Sequence, residues 1–117
     1  MGLLAPLDPA ALSAALERPS APPLLIDFWA SWCGTCRLQE PAVARVAADH
    51  QDSLRVASVD VEAHPDLAAG WDVQCLPTLL LLKDGAEVMR ITKFHGEAAL
   101  SAALAPHLEA AQAAQGG

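Results

Sequence analysis

Three short segments rich in apolar residues limit the folds that are available to this chain. They are residues 24–30 (LLIDFWA), 54–61 (LRVASVDV) and 78–83 (TLLLLK). Segments of this length, rich in leucine, isoleucine and valine, are typical of β-strands that are covered on both faces. A sheet that is buried on both faces needs a further layer on each side, so we expect helices above and below it.

The segments between these strands have helical character. The first begins with Asp8 and Pro9, an N-cap acid followed by proline at the first helical position, and continues as an alanine- and leucine-rich stretch. Further helices are predicted over residues 33–50, 65–71 and 96–109. Pro41 lies inside the second helix and predicts a kink there, because its ring removes one backbone hydrogen bond and crowds the preceding turn.

The dipeptide Asp84-Gly85 predicts a tight hairpin between the third strand and a fourth strand at residues 87–92. Strands alternate with helices up to this point, and the hairpin adds an antiparallel strand before the last helix. The predicted fold therefore belongs to the α/β class, as a three-layer α/β/α sandwich with a central mixed β-sheet.

The chain length is that of one domain. A chain of 117 residues can bury a core of two or three layers, and no internal repeat or linker divides it. We expect residues 1–110 to form this single domain. The last segment, residues 111–117 (AQAAQGG), is expected to be a flexible tail.

Charge and hydropathy exclude several classes of partner. The net charge is −7 and the isoelectric point is near 4.8, which argues against nucleic acid or an anionic membrane surface. No apolar stretch approaches the ~18 residues of a membrane span. The first ten residues lack the basic segment of a signal peptide, and Pro6 stands where a myristoylation signal needs Ser or Thr. We therefore expect a cytoplasmic protein.

Two cysteines, Cys33 and Cys36, lie where the first buried strand gives way to the second helix. Free backbone N–H groups and the positive end of the helix dipole stabilise a thiolate at this position. Because Cys36 lies one turn further along the helix, the two sulfurs can bond with little movement of the backbone. This arrangement predicts an exposed nucleophile with a resolving partner beneath it, and thus thiol–disulfide exchange, in which Cys33 attacks a substrate disulfide and Cys36 resolves the mixed disulfide.

Other uses of the two thiols are less favoured. A zinc site would need Cys75 or histidines as further ligands, and none of these has the paired short spacing of structural zinc sites; the histidines are His50, His64, His95 and His107. A c-type haem would need a histidine directly after Cys36, where Arg37 stands. A pair of unreactive buried cysteines is the remaining alternative. We predict no metal site.

Several motifs of this chain occur together in one known family. FWASWCGTC is preceded by Asp27 within its strand, and it is followed by Pro41 and by CLPT, which contains Pro77. In this combination the chain resembles the thioredoxin family, over residues 24–108. The resemblance implies a thioredoxin fold and a protein-disulfide reductase that donates electrons in the cytosol and serves cell redox homeostasis.

The resemblance also implies how the protein is supplied with electrons. In thioredoxins the cysteine pair is reduced by an NADPH-linked flavoprotein reductase. We therefore expect a thioredoxin reductase-like flavoprotein as a partner, protein disulfides as substrates, and no bound cofactor besides the redox-active disulfide of Cys33 and Cys36.

The resemblance assigns roles to residues around the cysteines. Asp27 would lie behind the disulfide and accept the proton of the resolving thiol, whereas the alternative is an acid at a strand end that faces solvent. Pro77 would be a cis-proline facing the cysteines and would leave the Leu76 backbone free to pair with an extended peptide. The alternative for Pro77 is an ordinary proline that opens a strand. Trp32 is expected at the surface rim and Trp29 in a structural position.

Three positions differ from the usual pattern of the family. Gly34-Thr35 stands between the cysteines, where Gly-Pro is commonest, and we expect the Thr35 N–H to donate to Cys33. Ser58 stands where many bacterial thioredoxins have a lysine near the buried acid. Lys93-Phe94 stands where a glycine of the peptide groove is usual, which predicts a narrower groove or one with a basic edge.

Cys75 lies two positions before Pro77 and should therefore lie beside the active site. It either fills space, as free cysteines often do, or acts as a regulatory thiol that links a dimer of an otherwise monomeric protein. Two alternatives to the reductase also stay open. One is a redox-sensitive module that binds clients without turnover, and the other is a more oxidising disulfide exchanger or isomerase.

Overall fold

The computed structural model of the protein describes residues 4–18 and 20–116. Five strands form one sheet, in the order β1-β3-β2-β4-β5, and four helices accompany it. In chain order the elements are β1 (Ala5–Pro6), α1 (Pro9–Leu16), β2 (Leu24–Trp29), α2 (Gly34–Asp49), β3 (Arg55–Asp60), α3 (Pro65–Gly70), β4 (Thr78–Lys83), β5 (Ala86–Ile91) and α4 (Glu97–Gly116).

The sheet is mixed because the neighbouring strands β2 and β4 run in opposite directions. β2 pairs with β3 in parallel and with β4 in antiparallel, while β1 is parallel to β3 and β5 is antiparallel to β4. β2 and β4 therefore lie between neighbours on both sides, and they are the two strands with the longest apolar runs. The α/β fold predicted from the sequence is confirmed.

Alternate side chains of the central strands enter two separate cores. On one face, Leu25 and Leu79 pack with Val43 of α2 and Leu104 of α4. On the opposite face, buried residues of β2 and β4 pack with Leu12 of α1 and Leu67 of α3. These strand residues are Leu24, Ile26, Phe28, Leu80 and Leu82. Successive strand residues point to opposite faces, so the sheet has one core on each face. Helices cover both cores, and the sheet with its two helical layers gives the three predicted layers.

The hairpin between β4 and β5 turns where Asp84-Gly85 predicted it. Both residues have positive φ, 53° at Asp84 and 80° at Gly85, as a type I′ turn requires. Glycine adopts this conformation without strain, and aspartate is among the few other residues that tolerate it. The pairing of β4 with β5 shifts its register between Leu81 and Leu82, close to this turn.

The structure differs from the predicted elements mainly at the two ends of the chain. The short edge strand β1 was not predicted. The last helix continues to Gly116, beyond the predicted end at residue 109, so it covers most of the segment predicted as a tail. Residue 117 lies outside the described residues, and the domain boundary at residue 110 stays a prediction.

Within residues 4–18 and 20–116, no helix is both long and apolar enough to cross a bilayer.

Candidate active site

The two cysteines lie at the junction of β2 and α2, as predicted. The Cys33 N–H donates to the Ala30 carbonyl at 3.1 Å, which closes a tight turn after β2. Cys33 then caps the N-terminus of α2 in extended conformation, and its Sγ accepts a hydrogen bond from the Cys36 N–H at 3.1 Å. Cys33 and Cys36 form a disulfide, with their Cα atoms 5.3 Å apart.

The two sulfurs differ in their access to solvent. Cys33 is 6% exposed and Cys36 is 0% exposed. The prediction of a well-exposed Cys33 is therefore too strong, although Cys33 is the sulfur that an incoming substrate can reach. The buried position of Cys36 suits a thiol that acts only on a bond already made to Cys33.

The amide that donates to Cys33 was predicted wrongly. The sequence pointed to the N–H of Thr35, whereas the bond comes from Cys36, one residue later. An N-cap side chain can accept from the amide two or three residues after it, and in this structure the donor is the third. Thr35 and Gly34 are exposed between the two cysteines.

Asp27 lies inside the fold and not at a solvent-facing strand end. It is 1% exposed and lies on β2 between Ser58 of β3 and Leu79 of β4. Burial, followed by the nearby charge of Glu40, raises the pKa of its carboxyl group from 3.8 to about 7, although a hydrogen bond from Gln39 acts to lower it. A carboxyl with such a pKa can take up and release protons near neutral pH.

Gln39 and Glu40 are two polar residues of α2 that sequence reasoning missed. Gln39 is 1% exposed and Glu40 is 6% exposed. The Gln39 Nε2 donates to the Asp27 Oδ1 at 3.2 Å. A signal was available, because Cys36, Gln39 and Val43 follow one another at helical spacing and lie on the buried face.

An apolar groove lies beside the disulfide. It has a volume of about 210 Å³ and is lined by residues that include Trp32, Cys75 and Leu76 together with Val61, Ala68, Val73 and Gln74. The Trp32 side chain is 68% exposed, in agreement with its predicted place at the rim. The Leu76–Pro77 peptide bond is cis, as the resemblance implied.

Trp29 and Pro41 have supporting positions. Trp29 is half-buried and packs against the cluster of Ala30, Cys33 and Cys36. Pro41 lies inside α2 and is exposed. The turn that carries the cysteines is also held from the side, because the Ser31 N–H and Oγ–H both donate to Glu62 Oε1 at 3.2 and 2.8 Å.

Cys75 is exposed beside the active site. Besides the apolar groove, it lines a larger cleft of about 600 Å³ that contains Trp71, Gln74 and Arg90. Its Sγ lies 4.0 Å from the Thr78 Oγ1. The thiol is therefore accessible at the surface and is not a residue that fills an internal space.

Lys93 and Phe94 line a different cavity. It has a volume of about 180 Å³ and lies between β5 and α4, where Leu79, Ile91 and Leu100 contribute. The two residues are absent from the lining of the groove beside Trp32. The predicted narrowing of that groove by Phe94 is not seen.

In the described ranges 4–18 and 20–116, no three His, Cys, Asp or Glu side chains are placed to hold a metal ion.

Comparison with known proteins gives one family. The family model described as Thioredoxin matches residues 4–108 of this chain. The chain is 47% identical over 83 residues to a thioredoxin of Mycolicibacterium smegmatis. The matched segment covers 69% of this chain and 74% of that thioredoxin. It is 37% identical over 84 residues to a thioredoxin of Staphylococcus aureus, with 72% of this chain and 81% of that one covered.

The name of a third similar protein gives two activities. The chain is 40% identical over 78 residues to the bifunctional thioredoxin reductase/thioredoxin of Mycobacterium leprae. This match covers 67% of the present chain and 17% of the longer protein.

Proposed function

Because this chain belongs to the thioredoxin family and is a protein thiol–disulfide oxidoreductase, we propose that it acts mainly as a reductase of protein disulfides. Cys33 is the attacking sulfur and Cys36 is the resolving sulfur. The observation that carries this assignment is the position of Cys33 at the N-cap of α2, where it is the more accessible sulfur of the pair and accepts the Cys36 N–H.

The reaction begins with the reduced pair. The Cys33 thiolate attacks one sulfur of the substrate disulfide, a Cys33–substrate disulfide forms, and the other substrate sulfur leaves as a thiolate that takes up a proton. The helix N-terminus and the Cys36 N–H stabilise negative charge on Cys33, so its thiolate forms more readily than that of an isolated cysteine.

The second step returns the substrate in its reduced form. Cys36 loses its proton and attacks the Cys33 sulfur, which breaks the mixed disulfide and releases the second substrate thiolate. Two electrons pass from the two thiols to the substrate, and the Cys33–Cys36 disulfide remains. Asp27 accepts the proton of Cys36, a role that its burial and its pKa of about 7 support.

Substrate recognition uses the surface around the disulfide. The exposed Trp32 ring and the apolar groove beside it offer area to a polypeptide, and Gly34 and Thr35 leave the approach to Cys33 open. The Leu76 backbone, before cis Pro77, pairs with an extended peptide by strand addition. Trp29 supports this surface by packing against the disulfide cluster, and Pro41 lies in the helix that carries the cysteines.

The oxidised protein needs an electron donor. The relative from Mycobacterium leprae is named as both a thioredoxin reductase and a thioredoxin. This name supports a thioredoxin reductase-like flavoprotein as the partner of this chain, with NADPH as the source of electrons. The proposed setting is electron transport and redox homeostasis in the cytoplasm. The chain acts as a monomeric domain of residues 1–110 without a resident cofactor.

Cys75 is proposed as a regulatory thiol. It is exposed and lies on the wall of the groove beside Trp32, so its oxidation to a disulfide between two chains would cover the substrate surface of both.

Insulin reduction by dithiothreitol tests the proposed function. We expect the wild-type protein to accelerate precipitation of the reduced chains, whereas the Cys33→Ser and Cys36→Ser variants should lose this catalysis. Cys75→Ser is the matched control, because it removes a cysteine that is not in the disulfide, and it should retain activity. Failure of the wild-type protein to accelerate precipitation above the rate with dithiothreitol alone would support a binding module that does not turn over.

A further inference from the structure

We propose that Gln39 is a positioning residue that fixes which oxygen of Asp27 exchanges a proton with Cys36. This inference rests on the proposed role of Asp27 in the resolving step. It concerns a buried glutamine that contacts neither the substrate nor the disulfide and acts through the carboxyl group alone.

The contact between the two side chains is specific. The Gln39 Nε2 donates to the Asp27 Oδ1 at 3.2 Å, and both residues are 1% exposed. The other carboxyl oxygen, Oδ2, is buried and has no hydrogen-bond partner among the described residues. Since buried polar atoms are nearly always paired, an unpaired carboxyl oxygen beside the site needs a functional explanation.

The position of Gln39 on α2 links this contact to the cysteine pair. Gln39 follows Cys36 by three residues, so the two side chains lie on the same face of the helix, one turn apart. Cys36 is fully buried on that face. The Asp27 carboxyl is therefore bonded to a side chain that lies one helical turn from the resolving cysteine on the same helix.

The hydrogen bond distinguishes the two oxygens in both protonation states. An amide N–H donates only to an acceptor, so Oδ1 accepts whether the group is a carboxylate or a neutral acid. In the neutral acid the proton then resides on Oδ2. When Cys36 attacks the Cys33 sulfur, the Cys36 proton passes to Oδ2 of the carboxylate, and the released substrate thiolate is protonated from solvent.

The groups that surround Asp27 give Gln39 a second effect. Glu40 on the same helix places a like charge near the carboxyl and raises its pKa, while Gln39 lowers it. The residues opposite Asp27 on β3 and β4 are Ser58 and Leu79, neither of which carries a charge. Gln39 is thus the neighbour that favours the carboxylate, whereas Glu40 opposes it.

Replacement of Gln39 by methionine tests the proposal, because methionine has a similar volume and no donor. We expect the pKa of Asp27 in the oxidised protein to rise by about one unit, as is typical for loss of a hydrogen bond to a charged group. The pKa is followed by carbon NMR of the carboxyl group. The pH midpoint for resolution of a Cys33 mixed disulfide should move upward by the same amount.

Two further variants separate positioning from packing. In an Asp27→Asn background, Gln39→Met should have no effect on the pH profile, because Gln39 acts through the carboxyl. Gln51→Met, at an exposed glutamine beyond the end of α2, should leave both readouts unchanged.

If Gln39→Met fails to fold, Gln39→Glu keeps the size of the side chain and should raise the pKa of Asp27 by adding a like charge.

The outcomes distinguish this inference from the proposed function. An unchanged pKa and profile in the Gln39 variants, or a shift that persists without Asp27, would overturn the role of Gln39 while insulin reduction stays intact. A profile that Asp27→Asn itself leaves unchanged would overturn the role of Asp27 and this inference together. Loss of insulin reduction in every protein, wild type included, would instead contradict the proposed function.

Discussion

At the scale of single residues, the pattern of the sequence identified the reactive groups but not the residues that adjust them. Cys33, Cys36 and Asp27 stand out because thiols and an acid are conspicuous in an apolar context. Gln39 does not stand out by residue type, because a glutamine in a helix is usually a solvent-facing residue, although its helical spacing from Cys36 and Val43 is that of the buried face. The donor to Cys33 was misassigned by one residue for a related reason, since it depends on the exact start of the helix.

Asp27 should make the stability of the oxidised protein depend on pH. The pKa of its carboxyl group is about 7 in the folded protein, whereas the ordinary value for an aspartate is 3.8, so the unfolded chain loses this proton first as the pH rises. Stability therefore falls between about pH 4 and pH 7, by about 1.4 kcal/mol per pH unit and at most about 4 kcal/mol in total.

The Asp27→Asn variant removes this penalty. Its free energy of unfolding in urea should exceed that of the wild type at pH 8 by a few kcal/mol, within the limit of about 4 kcal/mol, and the gain should vanish towards pH 4. Asp52→Asn, at an exposed acid after α2, is the matched control and should show no such difference. A gain of equal size at pH 5 and pH 8 would argue against a titrating carboxyl as its source.

Cys75 should form an intermolecular bond on its own. Its exposure predicts that mild oxidation of the protein, with Cys33 and Cys36 already paired, yields a disulfide-linked dimer that dithiothreitol reverses. Non-reducing electrophoresis of wild type and Cys75→Ser checks this. The regulatory role would be excluded by a dimer that persists in Cys75→Ser, or by the absence of a dimer at high protein concentration.

At the scale of helices and strands, the sequence predicted what periodicity and turn chemistry control. The apolar runs of β2 and β4 and the Asp84-Gly85 turn lie where they were predicted. β1 could not be predicted in this way, because a two-residue strand that contains Pro6 has no periodicity and exists only through its pairing with β3. α4 continues to Gly116 through an alanine- and glutamine-rich segment of high helix propensity, where the sequence suggested a tail.

At the scale of the whole molecule, the mixed sheet explains why the site lies where it does. β2 is bordered by β3 and β4, so the end of β2 brings the cysteine turn close to the segment that follows β3 and to the one that precedes β4. Val61, Leu76 and Trp29 thereby pack against the disulfide cluster, although Val61 and Leu76 are distant from it in sequence. The approach of the Leu76 segment to the cysteines was expected from the family resemblance, whereas the contact of Val61 was not, since topology is not contained in local periodicity.

Trapping of the mixed disulfide tests the central claim that Cys33 attacks and Cys36 resolves. Reduced Cys36→Ser protein, incubated with insulin without dithiothreitol, should accumulate a covalent adduct that peptide mass spectrometry locates at Cys33. Reduced Cys33→Ser should form little adduct at Cys36, because Cys36 is fully buried, and reduced Cys75→Ser should behave as the wild type does and release its product. An adduct that forms at Cys36 as readily as at Cys33 would contradict the account.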